Sequence, residues 1–132
     1  HGHTYAGSPL GCAAGLAVID EIVEQGLCER ARAMGDYLAQ KLAGLKKYGV
    51  VREVRGRGLI RGVELVKDTA SMEPFPELGM ALKKTALENG LILRVDPTWF
   101  AVVPALVIAQ EEVDEMCGLI EQSLAAALER VA

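Results

Sequence analysis

The feature that most constrains this chain is Gly56-Arg57-Gly58, a glycine bracket between two β-rich runs at 50–55 and 59–66. Glycine adopts the positive φ that a tight connection demands and other L-residues resist, so the two runs read as an antiparallel hairpin. A lone hairpin cannot bury its apolar face, and the flanking sequence supplies what would cover it. Ala31, Met34, Leu38, Leu42 and Leu45 recur every three or four residues and predict a surface helix over 28–47. A third helix is expected over 76–89, opened by Pro76 and stopped by Gly90. The runs 91–95 and 99–103, around Asp96-Pro97-Thr98, read as a second strand pair. Beyond Glu111 and Glu112, Val113, Met116, Ile120, Leu124, Leu128 and Val131 trace one face of a terminal helix.

Upstream of all this, Ser8 and Pro9 form a hydroxyl cap and a first-turn proline, and the stretch 9–25 has no strong breaker before Gly26. Its opening, Gly11 through Gly15, is made of small residues, so this helix is expected to start buried against another backbone and to end amphipathic. The order α-α-β-β-α-β-β-α specifies an α+β fold: a small antiparallel-containing sheet covered by helices, preceded by a helix that belongs elsewhere.

At 132 residues the chain can build one compact domain but not a two-domain metabolic enzyme, and it reads as a fragment. The formal charge of −4, with basic residues scattered among more numerous acids, excludes a nucleic-acid footprint. Cys12, Cys28 and Cys117 are odd in number and widely spaced among small and apolar residues, a pattern of buried thiols in a reducing compartment. No secretory leader or membrane-length apolar run is visible, so a soluble cytoplasmic protein is expected. His1 and His3 lack spaced acidic or cysteine partners, which argues against a metal site.

Two places can carry chemistry. The loop Gly2-His3-Thr4-Tyr5-Ala6-Gly7-Ser8 sets backbone N–H groups and hydroxyls just before a helix N-terminus, which suits an anion such as phosphate but equally suits a plain turn and cap. Arg94 follows three apolar residues in an expected strand, where a guanidinium needs a carboxylate or water. Residue types alone leave both readings open. Arg55, Arg57 and Arg61 lie near Glu53 and Glu64 and read as an exposed, partly neutralised strand edge. Trp99 and Phe100 read as core or domain-interface residues, and Tyr5 as a neighbour of any ligand in the first loop.

Three motifs in order carry a resemblance across essentially the whole chain. The string His1-Gly2-His3-Thr4-Tyr5-Ala6-Gly7-Ser8-Pro9-Leu10-Gly11-Cys12-Ala13-Ala14 resembles the HG-x-T-x-x-G-[HN]-P-x-x-CAAA segment of class III (omega) aminotransferases. Gly56 through Leu65 resembles their GxGLMxGIEL hairpin, and Gly90 through Arg94, followed by Pro104 through Ile108, their GVLxR…PPLxI stretch. The resemblance implies the C-terminal small domain of pyridoxal-phosphate fold type I over 27–132. It implies that 1–26, the phosphate loop and linking helix, ends the large domain. It further implies that Thr4, with His3 and Gly2, holds the phosphate of pyridoxal 5'-phosphate in the neighbouring subunit of a homodimer.

The same resemblance implies that Arg94 binds the carboxylate of an amino acid or 2-oxo acid, for which a planar fork suits better than a lysine. Ala101 stands where acetylornithine, ornithine and GABA aminotransferases usually place an arginine, which points to the pyruvate-dependent omega-amine or beta-alanine branch. Ser8 and Ala105 also depart from the pattern without touching the chemistry. The lysine that attaches to the cofactor lies upstream in the family, and Lys41, Lys46, Lys47, Lys67, Lys83 and Lys84 fall on polar faces or loops, so this chain alone is expected to be inactive. An aminomutase or decarboxylase of the same fold, or a stand-alone ligand-binding or dimerisation module, are the competing readings.

Overall fold

A computed structural model describes residues 2–132; His1 lies outside them. Four α-helices and four strands follow in the expected order: α1 (Pro9–Glu24), α2 (Leu27–Ala43), β1 (Val51–Arg57), β2 (Ile60–Leu65), α3 (Pro76–Glu88), β3 (Arg94–Asp96), β4 (Trp99–Val102) and α4 (Gln110–Val131). All pairings in the sheet are antiparallel, in spatial order β1-β2-β4-β3. Among the described residues no helix is long and apolar enough to cross a membrane.

Period-2 alternation divides the sheet into two faces. Val63 and Leu65 of β2 and Phe100 and Val102 of β4 point inward and are buried. They meet Leu38 and Leu42 of α2, Leu78 and Leu82 of α3, and Val113, Ile120 and Leu124 of α4 in one core. Thr85 ties α3 to α4 by donating its hydroxyl to the Ser123 carbonyl at 2.8 Å, which satisfies a buried polar group. At the start of α4, the Glu112 carboxylate accepts the Ala109 N–H at 2.7 Å.

Both hairpin turns rest on a helix glycine. A Cβ at Gly35 of α2 would lie 2.1 Å from the Gly58 carbonyl oxygen, and one at Gly79 of α3 would lie 2.1 Å from that of Pro97. Glycine is therefore required at each point, because the helix backbone itself touches the turn.

Several expectations are corrected. α1 buries no residue, so it does not start buried: Leu10, Leu16, Val18, Ile19 and Val23 are all exposed. The Ser8 hydroxyl makes no cap hydrogen bond, although its carbonyl accepts the Cys12 N–H at 2.9 Å. Cys12 and Cys28 are exposed rather than buried, and only Cys117 is partly covered. The second helix ends at Ala43, and residues 44–48 tighten into a 3-10 turn. Finally, the run 91–93 stays outside the sheet. Gly90 turns the chain with φ +79°, and the Leu91 N–H is held by the Ala86 carbonyl at 2.8 Å, so these residues serve the helix exit and pairing begins at Arg94.

Candidate functional site

The sheet face away from the helices forms an open cleft of about 530 Å³. Strand register builds its floor from one row across all four strands: Arg55 opposite Gly62, Gly62 opposite Ala101, Ala101 opposite Arg94. The two smallest side chains occupy the centre, and an arginine stands at each end. With strands about 4.8 Å apart, the two arginine Cα atoms are separated by roughly 14 Å. The next row sets Glu53, Glu64, Trp99 and Asp96 side by side.

The two arginines differ in what holds them. Arg55 is 3.4 Å from Glu64 and 4.0 Å from Glu53, and Arg52 also reaches Glu64 at 3.1 Å, so this end of the cleft is neutralised as expected. Arg94 is exposed, and among the described residues no carboxylate lies within ion-pair distance of it. Its guanidinium instead lies over the ring of Trp99, 6.0 Å from the centroid. An uncompensated fork over an apolar floor is suited to a planar anion, because such a ligand can accept two parallel N–H bonds.

Arg61 departs from the expected exposed edge. Its side chain is only 9% exposed and points to the helix side. There it donates to the Gly35 carbonyl at 2.9 Å and the Gly56 carbonyl at 3.0 Å, and it lies 3.4 Å from Asp36. It fastens the β1-β2 hairpin to α2. Phe100 is in the core as expected, whereas Trp99 is half-buried and walls the cleft.

Gly2, His3 and Thr4 enter a turn that precedes α1, where the Ala6 N–H bonds the His3 carbonyl at 2.9 Å and the Ser8 N–H bonds the Tyr5 carbonyl at 3.2 Å. Gly2, His3, Thr4 and Tyr5 are exposed, with Tyr5 87% so. None of them lines the Arg94 cleft. The two predicted sites are therefore not brought together within one copy of this chain.

Three of the six lysines are held in ion pairs away from the cleft. Lys41 pairs with Asp114 at 2.6 Å and Lys67 with Glu73 at 2.5 Å, and Lys47 pairs with Glu121. Each ammonium is pushed above its ordinary range, chiefly by its carboxylate partner and, for Lys41, also by Tyr37. That moves them further from a nucleophilic amine, beyond the unperturbed value expected.

The α+β unit thus presents an exposed turn before α1 and an arginine cleft on its bare sheet face. The family described as Aminotransferase class-III matches residues 1–124, and the chain belongs to it. An acetylornithine aminotransferase of Caldanaerobacter subterraneus subsp. tengcongensis is 37% identical over 126 residues, covering 94% of this chain and 30% of that protein. The solved (S)-enantioselective omega-transaminase of Thermomicrobium roseum superposes with a TM-score of 0.83 at 39% identity, over 99% of this chain and 29% of its own. An aminotransferase from Vibrio fluvialis, solved in its PMP-bound form, superposes with a TM-score of 0.92 at 30% identity, over 100% of this chain and 30% of its own. The chain thus spans about 30% of the length of the relatives it matches.

Proposed function

We propose that this chain supplies the substrate-carboxylate end of a pyridoxal 5'-phosphate-dependent aminotransferase, which moves an amino group from an omega-amino acid or amine to a 2-oxo acid such as pyruvate. The observation that carries it is Arg94: an exposed guanidinium with no acidic partner among the described residues, over a floor of Gly62 and Ala101. An arginine at position 101 would add a third cation to that row, and its absence favours the pyruvate-dependent branch over the acetylornithine-like one.

In this reading Thr4, with His3 and Gly2, donates to the cofactor phosphate of a neighbouring subunit in a cytoplasmic homodimer, and residues 1–26 act with the large domain. The exposed turn at 4–7 and the bare apolar side of α1 support that assignment, since both are free to meet another body. Bound pyridoxal phosphate supplies the electron sink for amino transfer. The residues of this chain bind and orient, and the lysine comes from outside it, so the chain alone is inactive.

The test is Arg94→Ala in the complete enzyme. Losing a charge-assisted bidentate contact should cost about 2–4 kcal/mol in kcat/KM for pyruvate or beta-alanine, while an amine donor without a carboxylate reacts nearly as before. Arg94→Lys should rescue little, because a point charge does not reproduce the fork. Equal losses for acids and simple amines would assign Arg94 to the fold and remove the substrate reading.

A further inference from the structure

Among the described residues, Trp99 is the aromatic ring that faces Arg94, and its placement follows from the sheet. On β4 the alternation sends Phe100 and Val102 inward and Trp99 and Ala101 to the open face. Arg94 pairs with Ala101 and Asp96 with Trp99, so Arg94 and Trp99 are diagonal neighbours across β3 and β4, close enough for long side chains to meet.

The two partners are not equally anchored. The turn before Trp99 is pinned twice: Pro97 rests on the backbone of Gly79, and the Thr98 carbonyl accepts the Leu65 N–H at 2.8 Å. Phe100, the next residue, is fully buried. The indole is thus a half-buried, anchored surface. Arg94 opens a three-residue edge strand, and its side chain is exposed.

We propose that Trp99 is a positioning residue for Arg94: its ring face holds the guanidinium over the Gly62–Ala101 floor, so that an arriving carboxylate meets a preordered fork. The idea rests on the reading of Arg94 as the carboxylate ligand and adds the element that orders it. The physical basis is the attraction of a cation to the indole quadrupole, strongest for tryptophan among the aromatic residues, together with the smaller ordering cost left for binding. Glu64 and Asp96 flank Trp99 in its row; Glu64 is already engaged by Arg52 and Arg55, and among the described residues Asp96 lies outside ion-pair distance of Arg94, which leaves the ring as the contact that the structure provides for Arg94.

The experiment compares Trp99→Leu, Trp99→Phe, Arg94→Ala and the Arg94→Ala/Trp99→Leu pair in the complete holoenzyme, with pyruvate, beta-alanine and a carboxylate-free amine. Trp99→Leu should raise the KM for the two acids by about two- to five-fold, the range of an exposed cation–π contact, and by more than it changes the KM for the simple amine. Trp99→Phe should fall between the two, and Trp99→Leu should add nothing once Arg94 is gone. An unchanged KM for acids, equal changes for acid and amine, or a tryptophan effect that persists in the Arg94→Ala background would each overturn the positioning role. Failure of the underlying reading looks different, because Arg94→Ala alone would then lose acid and amine alike.

A readout without turnover exists, since Trp99 is the only tryptophan of the chain. Titrating the chain with succinate should change its emission in the wild type but not in Arg94→Ala. Identical titrations for the two proteins would overturn the coupling.

Discussion

Gly35→Ala sets two effects of opposite sign against each other. Alanine is the better helix former by about 1 kcal/mol, so on propensity alone α2 should gain stability. The contact decides otherwise. The new methyl would sit 2.1 Å from the Gly58 carbonyl oxygen, 2.2 Å from its carbon and 2.6 Å from its Cα, all backbone atoms that no rotamer change can move aside. Relief requires the hairpin and helix to part by more than an ångström. Arg61 bridges that seam to the Gly35 carbonyl at 2.9 Å and lies 3.4 Å from Asp36, so parting them also stretches charge-assisted bonds of a buried guanidinium. Overpacking costs about 1–3 kcal/mol and a weakened bond to a charged group a similar amount, which leaves a net destabilisation of roughly 2–4 kcal/mol. Gly118 is the control: it lies inside α4 with nothing within 4 Å of where a Cβ would stand, so Gly118→Ala should stabilise by about 0.5–1 kcal/mol. Urea unfolding of the two variants should move the midpoint in opposite directions at constant slope. Shifts of the same sign would refute the seam argument.

Thr4→Ala in the complete enzyme should weaken retention of pyridoxal phosphate by about 1.5–3 kcal/mol, the range for a hydrogen bond to a charged group, measured by dialysis against dilute cofactor; unchanged retention removes the phosphate role. The three thiols should separate in a disulfide-exchange assay on the folded chain. Cys12 and Cys28 are exposed and should react promptly, whereas burial pushes the Cys117 thiol up to about 11, which leaves little thiolate at pH 8. Equal rates for all three would mean that α2 and α4 do not shield Cys117 as described.

What could be read in advance was the part governed by local rules. The glycine bracket at 56–58 specified an antiparallel hairpin, and the stripe from Ala31 to Leu42 specified a helix, because turn geometry and period 3.6 act within a few residues. The misread parts depend on partners distant in sequence. Leu91 and Leu93 look like strand residues, yet both pack on the core from the exit of α3, held by the Leu91 N–H bond to Ala86. Cys12 and the apolar side of α1 look buried by composition, but among the described residues nothing covers that side. Gly35 and Gly79 carried a usable signal, since a glycine inside an otherwise good helix marks a close approach. Which backbone approaches could not be inferred, because the hairpin turns that dock there lie more than ten residues away.

Arg61 and Arg94 show how the same side chain takes opposite roles in one sheet. Counting in twos from Val63 and Leu65 puts Arg61 on the covered face, where an unmatched cation would be costly. Two carbonyls and Asp36 meet it there, although its Nε finds no partner, and the charge becomes a fastening that cannot leave without stranding those acceptors. Counting in the same way along β4 puts Ala101 and Trp99 on the bare face, and register carries Arg94 beside them. No acceptor from the described residues meets its charge, so its hydrogen-bonding capacity stays open for a ligand. The arginine proposed to bind substrate is thus distinguished by face and satisfaction rather than by residue type, and reversing either condition should abolish the proposed role: an acid built at Ala101, as in Ala101→Glu, would satisfy Arg94 internally. Its expected effect is a loss of acid substrates comparable to Arg94→Ala with the guanidinium still present, read as a raised KM for pyruvate and an unchanged one for a simple amine. A normal KM for pyruvate in that variant would show that the carboxylate is held elsewhere.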